Sequence, residues 1–138
     1  MKDMENKFIL DLENKFHGIH TRLKELHFSA PSLSLHKLID EFDEEFLEFD
    51  DAVMENAQAV WGFIKVGDLN PVLPESKTFP ELLREVKGIL VMMKREAADS
   101  EILWSGIINR VDDFMEITNK YIYLTSIATR SLNSGIED

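Results

Sequence analysis

The sequence predicts an all-α fold, a single four-helix bundle with a long connection between its second and third helices. Three observations carry that prediction. Apolar residues recur at three- and four-residue steps through four segments. No stretch alternates apolar and polar residues as a half-buried strand does, and the longest break in the helical pattern, residues 63–77, falls at mid-chain. At 138 residues, with 44% hydrophobic and 30% charged side chains, the chain suits one domain spanning 1–138 with one core.

The first helix is expected from about Asn6 to Phe28, where Phe8, Leu12, Phe16, Ile19, Leu23 and Leu26 make one apolar face. Gly18 weakens it slightly, and Ser29-Ala30-Pro31-Ser32 ends it, because Pro31 disfavours helical geometry in the preceding residue. The second helix is expected from Leu33 to Trp61, with Leu35, Leu38, Ile39, Phe42, Phe46, Phe49, Val53, Ala57 and Val60 inward and Gly62 as C-cap. The connection holds Gly67, Asn70, Pro71 and Pro74, with room for a short helical turn near Trp61–Val66. Its length suits a crossover from one end of the bundle to the other.

Thr78 and Glu81 form a capping box for the third helix, with Pro80 tolerated in the first turn. Leu82, Leu83, Val86, Ile89, Leu90 and Met93 supply its core face, and it is expected to stop near Ala98. Asp99-Ser100 then caps a fourth helix from about Glu101 to Thr129, with Ile102, Ile108, Val111, Met115, Ile122 and Leu124 among its apolar positions. Residues 131–138 read as a frayed tail.

Composition excludes several function classes. With no cysteine there is no disulfide framework, thiolate zinc site, iron–sulfur cluster or cysteine nucleophile. The formal net charge of −11 repels phosphate backbones and attracts cations, which argues against nucleic acid as a partner. The first residues lack the apolar core of a secretion signal, and no apolar run approaches the roughly 20 residues that cross a bilayer. A cytoplasmic protein without a membrane partner is expected.

The histidines sharpen the reading. All four, His17, His20, His27 and His36, lie in the first 36 residues. A di-iron centre inside one bundle wants a Glu-x-x-His pair on each of two helices, and the sequence contains none. The second helix offers another arrangement. At about 100° per residue, His36, Asp40, Glu44, Asp51 and Glu55 fall within roughly a 100° arc. Imidazole with carboxylate suits Fe(II), Mn(II) or Zn(II). Yet His36 and Asp51 stand about 22 Å apart along the helix, too far to share one ion within a chain. An antiparallel neighbour related by a two-fold axis could bring His36 and Asp40 of one copy to Asp51 and Glu55 of the other, creating two equivalent sites.

The pattern His36-x3-Asp40-x10-Asp51-x3-Glu55 resembles the ferroxidase motif of the Dps proteins, or miniferritins, which carry this order and spacing on their second helix. Pro31-Ser-Leu-Ser-Leu-His36 is similar to that family's Pro-x-Phe-x-x-Leu-His, and the stretch through Trp61-Gly62 resembles the end of its second helix. The resemblance covers roughly residues 8–130, with the specific motif confined to 27–62. It implies a ferritin-like bundle that binds and oxidises Fe(II) at di-metal sites between two-fold-related subunits. His36, Asp40, Asp51 and Glu55 would be catalytic, and zinc or manganese would be substitute ions. It also implies a homo-oligomer, a hollow twelve-subunit shell that stores or detoxifies iron. The family's first-helix histidine normally lies twelve residues before the second-helix one, where this chain has Lys24. His27 is the carry-over to that ligand position, with His20 as fallback.

Other features take plainer readings. Trp61, Trp104 and Met92-Met93 are expected to pack; Asp112, Asp113 and Glu116 to form a solvated face; His17 and His20 to be surface or boundary residues. The competing functional reading is a non-catalytic ferritin-like bundle with a structural or interaction role, its acidic helix face only surface.

Overall fold

The computed structural model describes residues 2–100 and 104–133, with side chains described over 7–100 and 104–130. Among them the chain forms four helices and no strand: α1 (Lys2–Phe28), α2 (Leu33–Trp61), α3 (Phe79–Asp99) and α4 (Ile108–Asn133). The helix ends follow from local chemistry. Ser29 closes α1 by donating from both its N–H and its hydroxyl to the Glu25 carbonyl, at 3.1 and 2.8 Å. Ser32 opens α2 by accepting from the Leu35 N–H at 3.2 Å. Gly62 ends it at φ 113°, a conformation that favours glycine, while its N–H donates to the Gln58 carbonyl. Thr78 caps α3 through the Glu81 N–H, and the Glu81 carboxylate reaches back to the Lys77 N–H rather than to that of Thr78.

The core is aromatic. Phe16, Phe42, Phe46 and Phe114 are fully buried, Phe16 packs edge-on to Phe46, and Phe49 stacks on Phe114 with ring centroids 4.5 Å apart. Each such ring contributes about 1.5–3 kcal/mol by leaving water. The pairs also give helix direction. Phe42 meets Tyr121 while Phe49 meets Phe114, so α2 and α4 run antiparallel. Phe42 also meets Phe79, and Lys94 pairs with Asp112 at 2.6 Å, so α3 runs parallel to α2 and antiparallel to α4. At the far end Phe8, Trp61 and Trp104 close the bundle edge-to-face.

Residues 62–78 contain no helix, and the stretch to Val66, which had room for a short helical turn, does not use it. This segment lies along α1. The Asn70 N–H donates to Asn14 Oδ1 at 2.7 Å, the Val72 N–H to the Asn14 carbonyl at 3.0 Å, and Arg22 to the Pro74 carbonyl at 2.9 Å. Ser76 then donates to Glu85 at the start of α3. Gly18 acquires its reason here, since the Val72 carbonyl packs directly over its Cα.

Several local expectations shift. α1 starts at Lys2, ahead of Asn6, and α4 continues through Asn133, into the stretch read as a frayed tail. Residues 134–138 lie outside the described ones, as do 101–103, where the fourth helix was expected to begin. Ser100 serves as the C-cap of α3, Trp104 is helical with its N–H on the Ser100 carbonyl at 3.3 Å, and residues 105–107 form a turn before α4. The buried stripe of α4 is Val111, Phe114, Thr118, Tyr121, Thr125 and Ala128. Met115, Ile122 and Leu124, expected inside, are half-buried beside it, and Val60 on α2 is exposed. Two threonines and a tyrosine on the inner face disguised the stripe, because aliphatic hydropathy pointed one position away.

Alanine normally exceeds glycine in a helix by about 1 kcal/mol. Gly18→Ala is nonetheless expected to destabilise, because overpacking against a backbone carbonyl costs about 1–3 kcal/mol and displaces the 70–74 strap. Urea denaturation should show a lower midpoint, and limited proteolysis faster cleavage between residues 66 and 76. A midpoint at or above that of the wild type would refute the close approach.

Candidate metal centre

The chain reversal between α1 and α2 takes only residues 29–32, so the last turn of α1 lies beside the first turn of α2. That proximity brings the His27 and His36 rings to a centroid separation of 3.8 Å, tilted by 31°. His36 Nδ1 lies 3.0 Å from the His27 carbonyl oxygen. A carbonyl only accepts, so Nδ1 carries the proton and the Nε2 lone pair of His36 is left free for a cation. His27 Nδ1 is buried and has no hydrogen-bond partner. Leaving such a group unmatched costs about 1–3 kcal/mol, so a ligand that engaged it would be stabilising. Asp40 is exposed one turn beyond His36 on the same helix, and imidazole and carboxylate are donor types that suit Fe(II), Mn(II) or Zn(II).

The remaining candidates lie elsewhere. Asp51 and Glu55 are exposed farther along α2, beyond the reach of His36 in the same chain. Among the described residues no three His, Asp or Glu side chains converge to hold a metal ion. His20, the fallback ligand, is engaged otherwise: its Nδ1 donates to Asp43 Oδ1 at 2.7 Å.

That contact belongs to a pattern the sequence reading missed. His27 with His36, His20 with Asp43, and Glu13 with Asp50 follow one another at seven-residue steps along the antiparallel α1 and α2. Successive rungs are about 10 Å apart, and the ladder carries three titratable pairs down one seam. The available signal was the heptad spacing of ionisable residues 13, 20 and 27 on one helix and 36, 43 and 50 on the next. Asp50 belongs to the long acidic run of α2, yet it is buried.

Burial sets the chemistry of the inner rungs. Desolvation, then the hydrogen bond and charge of Asp50 and the charge of Asp51, push the Glu13 carboxyl up to about 9. Burial also raises Asp50, opposed by the hydrogen bond from Glu13 and by His17 and His20. Glu13 Oε2 and Asp50 Oδ1 have no other partner, so one proton held between the carboxyls satisfies both. Burial raises Asp43 as well, and its bond from His20 partly restores the charged form. Across the bundle, burial and the neighbouring Glu41, Glu45 and Glu44 push the Tyr121 phenol up to about 12.

Comparison with protein-family models, curated proteins and solved structures finds no match. Among the described residues no helix is long and apolar enough to cross a membrane.

The Glu13 rung makes stability pH-dependent with a definite sign. Folded Glu13 keeps its proton up to about pH 9, whereas its ordinary value is 4.5. Between those limits the native state binds a proton that the unfolded chain has released. The stabilisation is therefore complete below the lower value and declines as pH rises towards the upper one. Glu13→Gln, permanently neutral, should flatten that decline. Thermal melts from pH 5 to 9.5 should converge at the acid end and favour the variant at the alkaline end; parallel curves would contradict the shared proton.

Proposed function

We propose that this protein is a ferritin-like bundle of the miniferritin type, oxidising Fe(II) at two equivalent sites formed where α2 of one copy lies antiparallel to α2 of a second. The carrying observation is the His27–His36 pair, with a free Nε2 on His36 and exposed Asp40 one turn away. This is half of a ligand set, and its complement, exposed Asp51 and Glu55, lies about 22 Å along the same rod. A two-fold axis midway between the halves superposes each on the other's complement. The helix-free stretch from Gly62 to Thr78 along α1 also suits a ferritin-like crossover.

In this reading iron is substrate and cargo. His27, His36 and Asp40 of one copy and Asp51 and Glu55 of the other hold a pair of Fe(II) ions. Each Fe(II) gives up one electron, and hydrogen peroxide takes two electrons and two protons as its O–O bond breaks into two waters. The carboxylates favour the more highly charged Fe(III) product, and the acidic surplus draws cations towards the site. Zinc and manganese compete for the same donors. By the miniferritin resemblance, two-fold dimers build a cytoplasmic twelve-subunit shell that retains the ferric mineral, and the acidic surface disfavours DNA.

The test is Fe(II) oxidation with peroxide, alongside light scattering for assembly. Removing ligands in Asp51→Ala with Glu55→Ala, or in His36→Ala, should slow oxidation by at least about tenfold while the assembly persists. Subunits of the two variants, dissociated and reassociated together, should recover about one quarter of the wild-type rate, since half the dimers are mixed and each rebuilds one site of two. Unchanged rates in intact assemblies would leave the non-catalytic bundle. Absence of recovery on mixing would place the donors within single chains.

A further inference from the structure

The structure carries a second, oppositely charged feature at the end of the bundle where α3 starts and α4 finishes. A cavity of about 380 Å³ opens between the first turn of α3 and the last turns of α4. Arg84 reaches it from α3 and Arg130 from α4, with Thr125, Ser126 and Thr129 between them and Ile122 on the wall. In a chain with 26 acidic and 15 basic residues, this cavity is lined by two guanidinium groups and no carboxylate. Glu81, the acid in the same turn of α3, directs its Oε2 to the Lys77 N–H.

Thr125 supplies an independent observation. It is 1% exposed, lines the cavity, and its Oγ1 has no hydrogen-bond partner. A helical threonine usually returns its hydroxyl to a carbonyl one turn back. Here the hydroxyl of a residue that lines the cavity is buried without a partner. Thr118, two turns earlier, is also unpartnered, but it is sealed in the core and does not line the cavity. Neither arginine forms an ion pair among the described residues.

We propose that this cavity binds the phosphate group of a small free anion, with Arg84 and Arg130 as converging forks and the Thr125 hydroxyl as a buried donor. Guanidinium groups match the paired oxygens of phosphate in geometry as well as charge, which lysine does not. Two of them from different helices select a doubly charged ligand over chloride. The cavity volume falls within the range of small-ligand sites and leaves space for an organic substituent beyond phosphate itself. The proposal is independent of the iron reading, because none of these residues lies on the α1–α2 seam.

The experiment is calorimetric titration of the full chain with inorganic phosphate and, separately, glycerol phosphate, at constant ionic strength with chloride as control. NMR shifts of the Thr125 and Arg84 signals provide a second readout. Arg84→Gln and Arg130→Gln should each weaken phosphate binding about tenfold or more, and Arg84→Lys should restore only part of it. Thr125→Val should weaken binding without lowering the melting temperature, since it removes an unmatched hydroxyl rather than a packed group. Tighter binding of glycerol phosphate than of phosphate would assign the ligand to a phosphate ester, and the reverse order to the free ion. Because phosphate stabilises folded proteins generally, a thermal shift counts only as the difference between wild type and Arg84→Gln. No saturable heat or shift in the millimolar range, unchanged affinity in both glutamine variants, or binding of duplex DNA without binding of either small anion would overturn the proposal.

Discussion

The antiparallel register of α1 against α2 is the constraint on which the rest of the molecule depends. It is held on the inner side by Phe16, wedged against Phe46 and Phe49, and at one end by the short reversal through Pro31. With that register set, every seventh residue of one helix meets every seventh residue of the other. A one-residue slip would separate His20 from Asp43 and strand the buried carboxyls of Glu13 and Asp50 without their shared proton. Polar pairs in a seam cost desolvation, and replacing them by apolar residues is often neutral or stabilising. Their physical contribution is discrimination, since each misaligned register leaves a buried polar group unmatched.

The same rigidity shapes what the protein can do with cations. A helix is a rod, and the donors on the outer face of α2 are distributed along it rather than gathered. His27 and His36 come together because the reversal is tight; Asp51 and Glu55 stay remote because no bend in α2 shortens the distance. Chemistry needing all of them requires a second rod. The inner face of α2 meanwhile contributes Asp43 and Asp50 to the seam, so its long acidic run divides between two jobs. Burial raises the proton affinity of the inner subset and pairs it across the seam, while the outer subset stays accessible to solvent.

The α3–α4 half differs in character. Its buried polar groups are threonine hydroxyls and a tyrosine, its ion pair, Lys94 with Asp112, lies half-exposed at the surface, and it opens into a basic cavity at one end. The titratable pairs thus line the α1–α2 seam, while Arg84 and Arg130, without an ion pair among the described residues, line the cavity where α3 and α4 meet. A molecule of strong net negative charge retains a local positive field where its arginines stand apart from carboxylates, since the attraction falls with distance and is weakened by water and salt around exposed groups. The aromatic layer of Phe42, Phe46, Phe49 and Phe114 packs α2 against α4 and joins the two halves.

Elements that rest on interactions within a turn or two were legible in the chain. The bounds of α2, the Ser32 and Thr78 caps, Gly62 at the helix end, and the core stripes of α1 and α3 follow from periodicity and capping, whose energetics span only three or four residues. The candidate stripe His36, Asp40, Asp51 and Glu55 was legible for the same reason, as one face of one helix. Tertiary structure decided everything that depends on which residue meets which across a gap. It selected His27 over His20 as the neighbour of His36, paired Glu13 with Asp50, turned Thr118, Tyr121 and Thr125 inward, and laid Val72 over Gly18. Periodicity gives a residue its angle about its own axis. Its partner and its access to water are set by interhelical register and packing, which couple positions tens of residues apart and leave no mark on either segment alone.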